Sequence, residues 1–248
     1  MNAHSDWIVP DWPAPANVKA LVTTRAGGVS TGPCAGFNLG LRCGDDPAAV
    51  MANRAQLRRL LPQEPRWLKQ THGADVIDAD AAVETPEADA SIARRPGTVC
   101  AVMIADCLPV LLCDRDGSLV AAAHAGWRGL AGGVIENTVH EMGRAGAAPG
   151  ELLAYLGPAI GPGAFEVGAD VYDAFRARDP LAAQAFRPHR PGKWLADLWM
   201  LARQALQRAG VSHVHGGGLC TFSDPRRFFS YRRDRAAGRM AALIWREE

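Results

Sequence analysis

Three residues of the sequence carry side chains that bind transition metals, and they are separated by 35 and 17 residues: His72, Cys107 and His124. Histidine nitrogen and cysteine thiolate are preferred zinc donors, and three protein ligands leave a fourth position open for chemistry. A metal held in this way lowers the pKa of bound water and supplies a hydroxide nucleophile. These residue types therefore indicate a catalytic metal site, although their spacing matches no short zinc motif.

The same three residues allow two other interpretations. Free cysteine is among the most buried residue types, so Cys107 can be a core residue and the histidines can be turn residues with satisfied hydrogen bonds. Alternatively, Cys107 is a nucleophile and His124 is its base, which requires the two side chains to lie within hydrogen-bond distance. Spacing alone leaves all three interpretations open.

The local sequence places each of these residues where a predicted strand meets a turn. His72 follows one apolar segment, Cys107 lies between two, and His124 ends a fourth, just before apolar residues adopt helical spacing at Leu130. Such strand ends can converge at one edge of a sheet in an α/β fold. The strands predicted around the three residues are 67–70, 99–105, 108–113 and 118–123.

The rest of the chain predicts further strands and helices. Asp46 and Pro47 are typical of a helix start, and Gly210 is typical of a helix end. No repeat, low-complexity block or linker appears, so residues 1–248 are expected to form a single domain. The additional predictions are strands over 18–24, 152–156 and 240–245, β-rich structure over 230–234, and helices over 47–62 and 195–209.

Composition favours an ordinary globular enzyme. Hydrophobic residues make up 48% and charged residues 21%, with a net charge of +1, so nothing predicts nucleic-acid binding. The longest apolar run, 99–113, is interrupted by Asp106 and Pro109 and is too short to span a membrane. Because no signal peptide is recognised, we expect a cytoplasmic location and six reduced cysteines.

A series of motifs, in order along nearly the whole chain, resembles the multicopper polyphenol oxidoreductase or laccase-domain family. Its members are also described as purine nucleoside phosphorylases and, in bacteria, as peptidoglycan editing factors. Arg235 is a departure, because the family usually has glycine there. The motifs are TTRAGGVS at 23–30, NLG at 38–40, GDD at 44–46, QTHG at 70–73, ADCLPV at 105–110, HAGWRG at 124–129, GPAIG at 157–161, FEVG at 165–168 and FFSYRRD at 228–234.

This resemblance implies a fold and a ligand set. The fold is a four-layer α/β/β/α sandwich with mixed sheets, related to the catalytic domains of cytotoxic-necrotising-factor-like deamidating toxins. His72, Cys107 and His124 occupy the family's metal-ligand positions, and all three ligand types are retained. The resemblance therefore favours the metal site, with Zn²⁺ expected and copper as the alternative, in a monomer or small homo-oligomer.

The activity implied by the resemblance is phosphorolysis of adenosine, inosine or methylthioadenosine to free base and ribose 1-phosphate, with adenosine deamination. For deamination, Asp106 or Asp75 is the expected proton carrier beside the metal. Arg128 is the first candidate for binding phosphate, together with the glycine-rich backbone around it, and Arg25 and Arg232 are further candidates. Each arginine taken singly can instead be part of a structural ion pair.

Two other functions remain open. Two histidines and a cysteine also suit copper, so a polyphenol oxidase (laccase) is an alternative. However, multicopper oxidation needs many more histidine ligands than the seven scattered along this sequence. A peptidoglycan-precursor editing or binding protein is the third candidate. His213 and His215 would share one face of a strand and could form a surface metal site, a pattern that usually has no function.

Overall fold

The computed structural model describes residues 6–248, which contain twelve strands and six α-helices. No helix in this range combines the length and apolar character needed to cross a bilayer. The strands are β1 Val18–Val22, β2 Val76–Asp78, β3 Ala90–Ala93, β4 Cys100–Ile104, β5 Leu108–Asp114, β6 Val120–Ala125, β7 Leu152–Leu156, β8 Glu166–Val167, β9 Phe186–Arg190, β10 Lys193–Ala196, β11 His213–Gly216 and β12 Met240–Arg246. The helices are α1 Pro47–Arg58, α2 Trp127–Gly132, α3 Val134–Arg144, α4 Ala169–Arg178, α5 Leu198–Arg208 and α6 Tyr231–Asp234.

A six-stranded mixed sheet with the order β11-β7-β5-β6-β3-β2 lies at the centre of the fold. Its two edge pairs, β11 with β7 and β2 with β3, are parallel, and its inner pairs are antiparallel. Two three-stranded antiparallel sheets accompany it, with the orders β1-β12-β4 and β8-β10-β9.

Strand β5 shows why the central sheet is buried on both faces. All seven of its residues are buried, as expected for a nearly continuous apolar run. Side chains alternate along a strand, so Val110 and Leu112 pack against the helices while Leu111 and Cys113 pack against the second sheet.

Three hydrophobic cores separate four layers. The first core packs α3 and α5 against the central sheet, through residues such as Ile135 and Leu206. The second lies between the central sheet and the β1-β12-β4 sheet, and the third packs Leu57 of α1 against Leu243 of β12. This order of helices, sheet, sheet and helix confirms the predicted α/β/β/α sandwich.

The predicted strand over 67–70 is wrong. Only isolated bridges occur here, at Arg66 just before the segment and at Lys69 within it. After them, the Gln70 side chain takes the place of a strand partner: its amide donates to the Met103 carbonyl at 2.9 Å and accepts from the Met103 N–H at 2.8 Å. A side chain thus uses the β4 backbone groups that a paired strand would use.

Three other boundaries differ from the predictions. Residues 231–234 form the helical turn α6 and not β structure, because the Ser230 hydroxyl accepts a hydrogen bond from the Arg233 N–H at 3.2 Å and caps the turn. Helix α1 ends at Arg58, four residues before Pro62. Leu195 belongs to β10, so the following helix begins at Leu198, where the Asp197 side chain caps it.

Candidate metal centre

The structure brings His72, Cys107 and His124 together at one end of the central sheet. Their donor atoms all lie within 4.8 Å of one another, and the two imidazole rings are 4.9 Å apart between centroids at 77°. His72 lies in the loop before β2, Cys107 in the turn between β4 and β5, and His124 near the end of β6. Burial increases from the exposed His72 through Cys107 to the buried His124.

Two residues of this centre have left-handed backbone conformations. His72 has φ 63° and Asp106 has φ 93°, which is uncommon for residues other than glycine. Such backbone strain tends to occur at functional sites. The Asp106 carboxylate supports its turn, since it accepts hydrogen bonds of 2.6 Å from the Thr221 hydroxyl and from the Arg232 N–H.

Glycines allow the segment after His124 to pass close to the cluster. A Cβ atom on Gly126 would lie 2.9 Å from the Cys107 sulfur and 3.1 Å from the His72 ring. A Cβ on Gly129 would lie 2.6 Å from the Gly73 carbonyl oxygen. Both positions therefore require glycine for a steric reason, because real Cβ atoms do not approach so closely.

Asp89 holds both histidine-bearing segments in place. Its fully buried carboxylate contacts Nδ1 of His124 at 2.8 Å and accepts hydrogen bonds from the backbone N–H groups of Thr71, His72 and Gly73 at 3.0, 3.0 and 2.7 Å. Its backbone carbonyl also accepts from the His124 N–H at 2.7 Å. With Nδ1 engaged, Nε2 of His124 remains for a metal, an arrangement typical of metal-binding histidines.

The sequence analysis missed Asp89. This residue comes just before β3 in a run of small residues, and β3 pairs with the strand that carries His124. A carboxylate next to a short strand-like segment was the only local sign, and it does not identify the partner that a buried charge needs.

Burial and neighbouring charges act in opposite directions on the ionisable groups of the centre. Burial alone would raise the pKa of the Cys107 thiol, but His124 and His72 outweigh it and lower this pKa to about 6. Burial would lower the pKa of His124, whereas Cys107 and Asp89 raise it to about 9. For Asp89, the effect of burial is overcome by His124 and the N–H donors, and its pKa falls to about 2. The surroundings thus favour the thiolate, which is the metal-binding form of cysteine.

The donor set fits a zinc ion. Zinc bonds to sulfur and nitrogen at about 2.0 to 2.3 Å, so tetrahedral donors lie roughly 3.5 Å apart. The three donor atoms are already within 4.8 Å of one another, a span that small side-chain rotations can close. His72, Cys107 and His124 would supply three ligands, and the adjoining cavity leaves room for a fourth.

A cavity of about 840 Å³ opens onto the cluster and is lined by six arginines. None of these arginines forms a salt bridge within residues 6–248. Arg54, Arg232 and Arg239 donate to carbonyl oxygens, and Arg128 stacks on an aromatic ring. Asp106 is the one carboxylate of the lining, and Lys69 there is paired with Glu87. The cavity therefore carries a strong positive charge. The six are Arg42, Arg54, Arg128, Arg232, Arg235 and Arg239.

The remaining predicted site residues divide between the cavity and its surroundings. Arg128, Arg232 and Asp106 line the cavity. Arg25 lies outside the lining, where its guanidinium donates to the carbonyls of Ala35 and Pro225 and stacks on an aromatic ring. Asp75 is also outside the lining, and its side chain is exposed. The predicted strand with His213 and His215 exists, but His213 contacts Arg115, and among the described residues no group of three metal-binding side chains forms there.

The comparison with protein families places this chain in one of them. The family profile described as "Multi-copper polyphenol oxidoreductase laccase" matches residues 19–247. The chain belongs to this laccase-domain family, which confirms the resemblance seen in the sequence.

Several relatives carry a more particular description. The chain is 54% identical to "Purine nucleoside phosphorylase PA4543" of Pseudomonas aeruginosa, with 100% of both chains covered. It is 52% identical to "Purine nucleoside phosphorylase YfiH" of Escherichia coli, with 97% of this chain and 99% of that protein covered. These names support an enzyme that resembles purine nucleoside phosphorylases.

Solved structures share the fold along nearly the whole chain. Protein NMB0706 of Neisseria meningitidis has a TM-score of 0.94 at 53% identity and covers 98% of this chain and 100% of its own. YlmD of Geobacillus stearothermophilus has a TM-score of 0.88 at 37% identity, with 95% and 94% covered. The mixed-sheet α/β fold is therefore that of these neighbours.

Proposed function

We propose that this chain is a cytoplasmic, zinc-dependent purine nucleoside phosphorylase that acts on adenosine, inosine and methylthioadenosine and that also deaminates adenosine. The observation that carries the proposal is the position of the His72–Cys107–His124 cluster at the floor of a cavity lined by arginines without carboxylate partners. The names of the relatives support a nucleoside and phosphate as substrates.

Phosphate binding is the task of the cavity arginines. Arginine forms strong, charge-assisted hydrogen bonds with phosphate, and a guanidinium without a carboxylate partner is free to do so. Arg128 stacks on Trp127, with 4.5 Å between its guanidinium carbon and the ring centroid, and its guanidinium donates no hydrogen bond to another residue within 6–248. Arg232 is held by the Glu166 carbonyl at 2.8 Å and stacks on Phe165. We assign phosphate to these two residues.

The nucleoside fits the apolar part of the same cavity. Ile160, Phe165, Leu198 and Trp127 line it beside the cluster and offer apolar surface for a purine. In phosphorolysis, a phosphate oxygen forms a bond to the ribose C1′ while the bond from C1′ to the base nitrogen breaks. The proton of hydrogen phosphate ends on that nitrogen, so the products balance without another reactant.

Deamination requires a proton carrier near the purine amino group. Among the described residues, Asp106 is the only carboxylate of the cavity lining, whereas Asp75 lies outside it, so we assign this role to Asp106. Its hydrogen bonds to Thr221 and to the Arg232 backbone fix its position. When bound to His72, Cys107 and His124, zinc supplies Lewis acidity and lowers the pKa of a water molecule.

Replacing Arg128 with Met tests the phosphate assignment. We expect the KM for phosphate in inosine phosphorolysis to rise about 10- to 100-fold, the range for losing a charge-assisted hydrogen bond. Arg144→Met is the matched control, because Arg144 is exposed and contacts only Glu141 on its own helix. An unchanged KM for phosphate in the Arg128→Met variant would remove Arg128 from the phosphate site.

Zinc is favoured over copper by the number of ligand clusters. Within residues 6–248, His72, Cys107 and His124 form the one group of three metal-binding side chains. Multicopper oxidation needs several copper sites, and one trigonal cluster does not provide their ligands. Metal analysis of the purified protein, combined with assays for nucleoside phosphorolysis and phenol oxidation, decides between the two functions.

The surplus of arginines favours one second candidate, the editing or binding of a peptidoglycan precursor. Six guanidinium groups that form no salt bridge within residues 6–248 exceed what one inorganic phosphate needs, and a nucleotide-linked precursor carries additional phosphates. Muropeptide analysis of a deletion strain tests this candidate. Rescue of an altered composition by the wild-type gene and not by a His72→Ala variant would support editing at the metal centre, whereas an unaltered composition would refute it.

A further inference from the structure

Two cysteines away from the metal centre lie in direct contact. The sulfur atoms of Cys34 and Cys43 are 3.6 Å apart, and both residues are free thiols. They lie in the segment between β1 and α1, nine residues apart. Within residues 6–248, no other two cysteine sulfurs are in hydrogen-bond contact.

The residues between the two cysteines form part of the cavity wall. Gly40, Leu41 and Arg42 all line the cavity, and Arg42 immediately precedes Cys43. Asn38 connects the same segment to Arg239, which also lines the cavity, because its side-chain oxygen accepts from the Arg239 N–H at 2.7 Å. A covalent bond between the two cysteines would therefore act on a wall that carries two of the six arginines.

The surroundings of the two sulfurs differ. Cys34 is buried, with 3% of its surface exposed, and burial together with the Cys43 contact raises the pKa of its thiol to about 12. Cys43 is partly exposed and accepts a hydrogen bond from the Asn38 amide at 3.2 Å. Its own thiol donates to the Gly40 carbonyl at 3.0 Å. Because only Cys43 is accessible to solvent, Cys43 is the sulfur that a peroxide reaches first.

We propose that Cys34 and Cys43 form a reversible modification site, at which a hydroperoxide oxidises the two thiols to a disulfide that fixes the cavity wall carrying Arg42. The Cys43 thiolate attacks a peroxide oxygen, the O–O bond breaks, and Cys43 becomes a sulfenic acid. The Cys34 sulfur then attacks Cys43, and water leaves. Overall, two thiols and one hydrogen peroxide give one disulfide and two waters, with two electrons passing from sulfur to oxygen.

The geometry permits this bond. A disulfide requires a sulfur separation of about 2.05 Å, and the two sulfurs are already in van der Waals contact at 3.6 Å. The disulfide would encircle only the short segment from Cys34 to Cys43, whose residues are already tied together by the Asn38 side chain. The bond therefore limits the motion of the wall around Gly40, Leu41 and Arg42.

Peptide mapping tests the site itself. Because trypsin cleaves after Arg25, Arg42 and Arg54, Cys34 and Cys43 fall on separate peptides, 26–42 and 43–54. We use full-length protein with Cys107→Ser, so that the reactive thiol of the metal centre does not compete. After treatment with hydrogen peroxide, the proposal predicts an intact mass lower by about 2 Da and one linked pair of these peptides, which dithiothreitol separates.

Two variants serve as controls for the mapping. Cys34→Ala must abolish the linked pair, and Cys100→Ala, which removes a buried cysteine elsewhere, must leave it unchanged. If the two peptides remain separate in the parent protein, or if Cys43 links to a different cysteine, the proposed site is wrong. This measurement does not depend on the proposed enzymatic function.

Phosphate kinetics test the connection to the cavity wall, which rests on the proposed function. The protein used here is zinc-loaded and retains Cys107. We expect oxidation to change its KM for phosphate by about threefold or more, because one charged contact is displaced. Dithiothreitol should reverse this change. The Cys34→Ala variant should show no such reversible change. A linked peptide pair with an unchanged KM would overturn the connection to the wall, while absence of any phosphorolysis would instead refute the proposed function.

Discussion

The His72–Cys107–His124 cluster and the arginines that face it are held in different ways. The cluster residues are fixed by a buried carboxylate, by strand ends and by glycines that admit close backbone contacts. The arginines are held by carbonyl oxygens and aromatic rings, which orient a guanidinium without neutralising its charge. One side of the cavity thus provides fixed donor geometry, and the other provides positive charge that is available to an anion.

Cys107→Ser tests the cluster side with the largest expected effect. The variant loses the thiolate donor but keeps nearly the same side-chain volume, so the fold is expected to persist. We expect loss of stoichiometric zinc and a fall in kcat for inosine phosphorolysis of about 1000-fold or more, comparable to the loss of a catalytic group. The measurement is zinc content beside steady-state kinetics, with Cys113→Ser as control. Normal activity in Cys107→Ser would refute the role of the cluster.

Asp89→Asn changes a residue that orients the candidate metal ligands but leaves all three ligands in place. The amide keeps the shape of the carboxylate but loses its charge and one acceptor oxygen, so the His124 ring and the 71–73 loop are less firmly fixed. We expect zinc affinity to fall about 10- to 100-fold, as for other groups that orient a metal ligand. Competition with a chelator measures the affinity. Asp78→Asn, at an exposed ion pair with Arg94, should leave it unchanged.

The pH dependence of stability also reports on Asp89. Its pKa is about 2 in the folded chain, below the value of 3.8 for an unperturbed carboxyl. A carboxyl whose pKa is lowered by folding stabilises the fold above its unfolded pKa, and this stabilisation is lost as the pH falls through the folded pKa. Between pH 5 and pH 2.5, we expect the free energy of unfolding of the zinc-free protein to fall by about 2 kcal/mol more than that of the zinc-free Asp89→Asn variant. Denaturant unfolding measures this difference, and parallel curves would contradict the assignment.

Arg232→Met tests the other side of the cavity, with the smallest of these effects. The guanidinium is lost, but the backbone N–H that binds Asp106 remains. We expect the KM for phosphate to rise about 10-fold while zinc affinity stays unchanged. In a double variant that also carries Asp89→Asn, we expect the change in the KM for phosphate and the change in zinc affinity to be the same as in the two single variants. A large loss of zinc in Arg232→Met would show that the two sides are instead one structural unit.

Most of the fold could be predicted from local patterns. The strands around Cys107 are long apolar runs that are buried on both faces, and the Asp46 cap marks the start of α1. One prediction failed because a distant partner decides the conformation: the Gln70 side chain occupies backbone groups of β4. Another failed although its signal is local, because the Ser230 hydroxyl caps a helical turn three residues on, in a segment predicted to be β-rich.

The residues of the candidate site could also be predicted only in part. The three metal-ligand candidates could be found because the residue types and the flanking motifs coincide. Asp89 could not be found, because its role depends on the pairing of β3 with β6, which no local pattern reveals. Arg54 and Arg239 were missed for a related reason: they come from separate elements that meet only at the cavity wall.

Zinc titration of the metal-free protein tests the central claim most directly. Protein stripped of metal is titrated with zinc while release of hypoxanthine from inosine is recorded in the presence of phosphate. The account predicts no activity at the start, a linear rise, and a plateau at about one zinc per chain, as expected for a single tight site. Full activity before any zinc is added would contradict it.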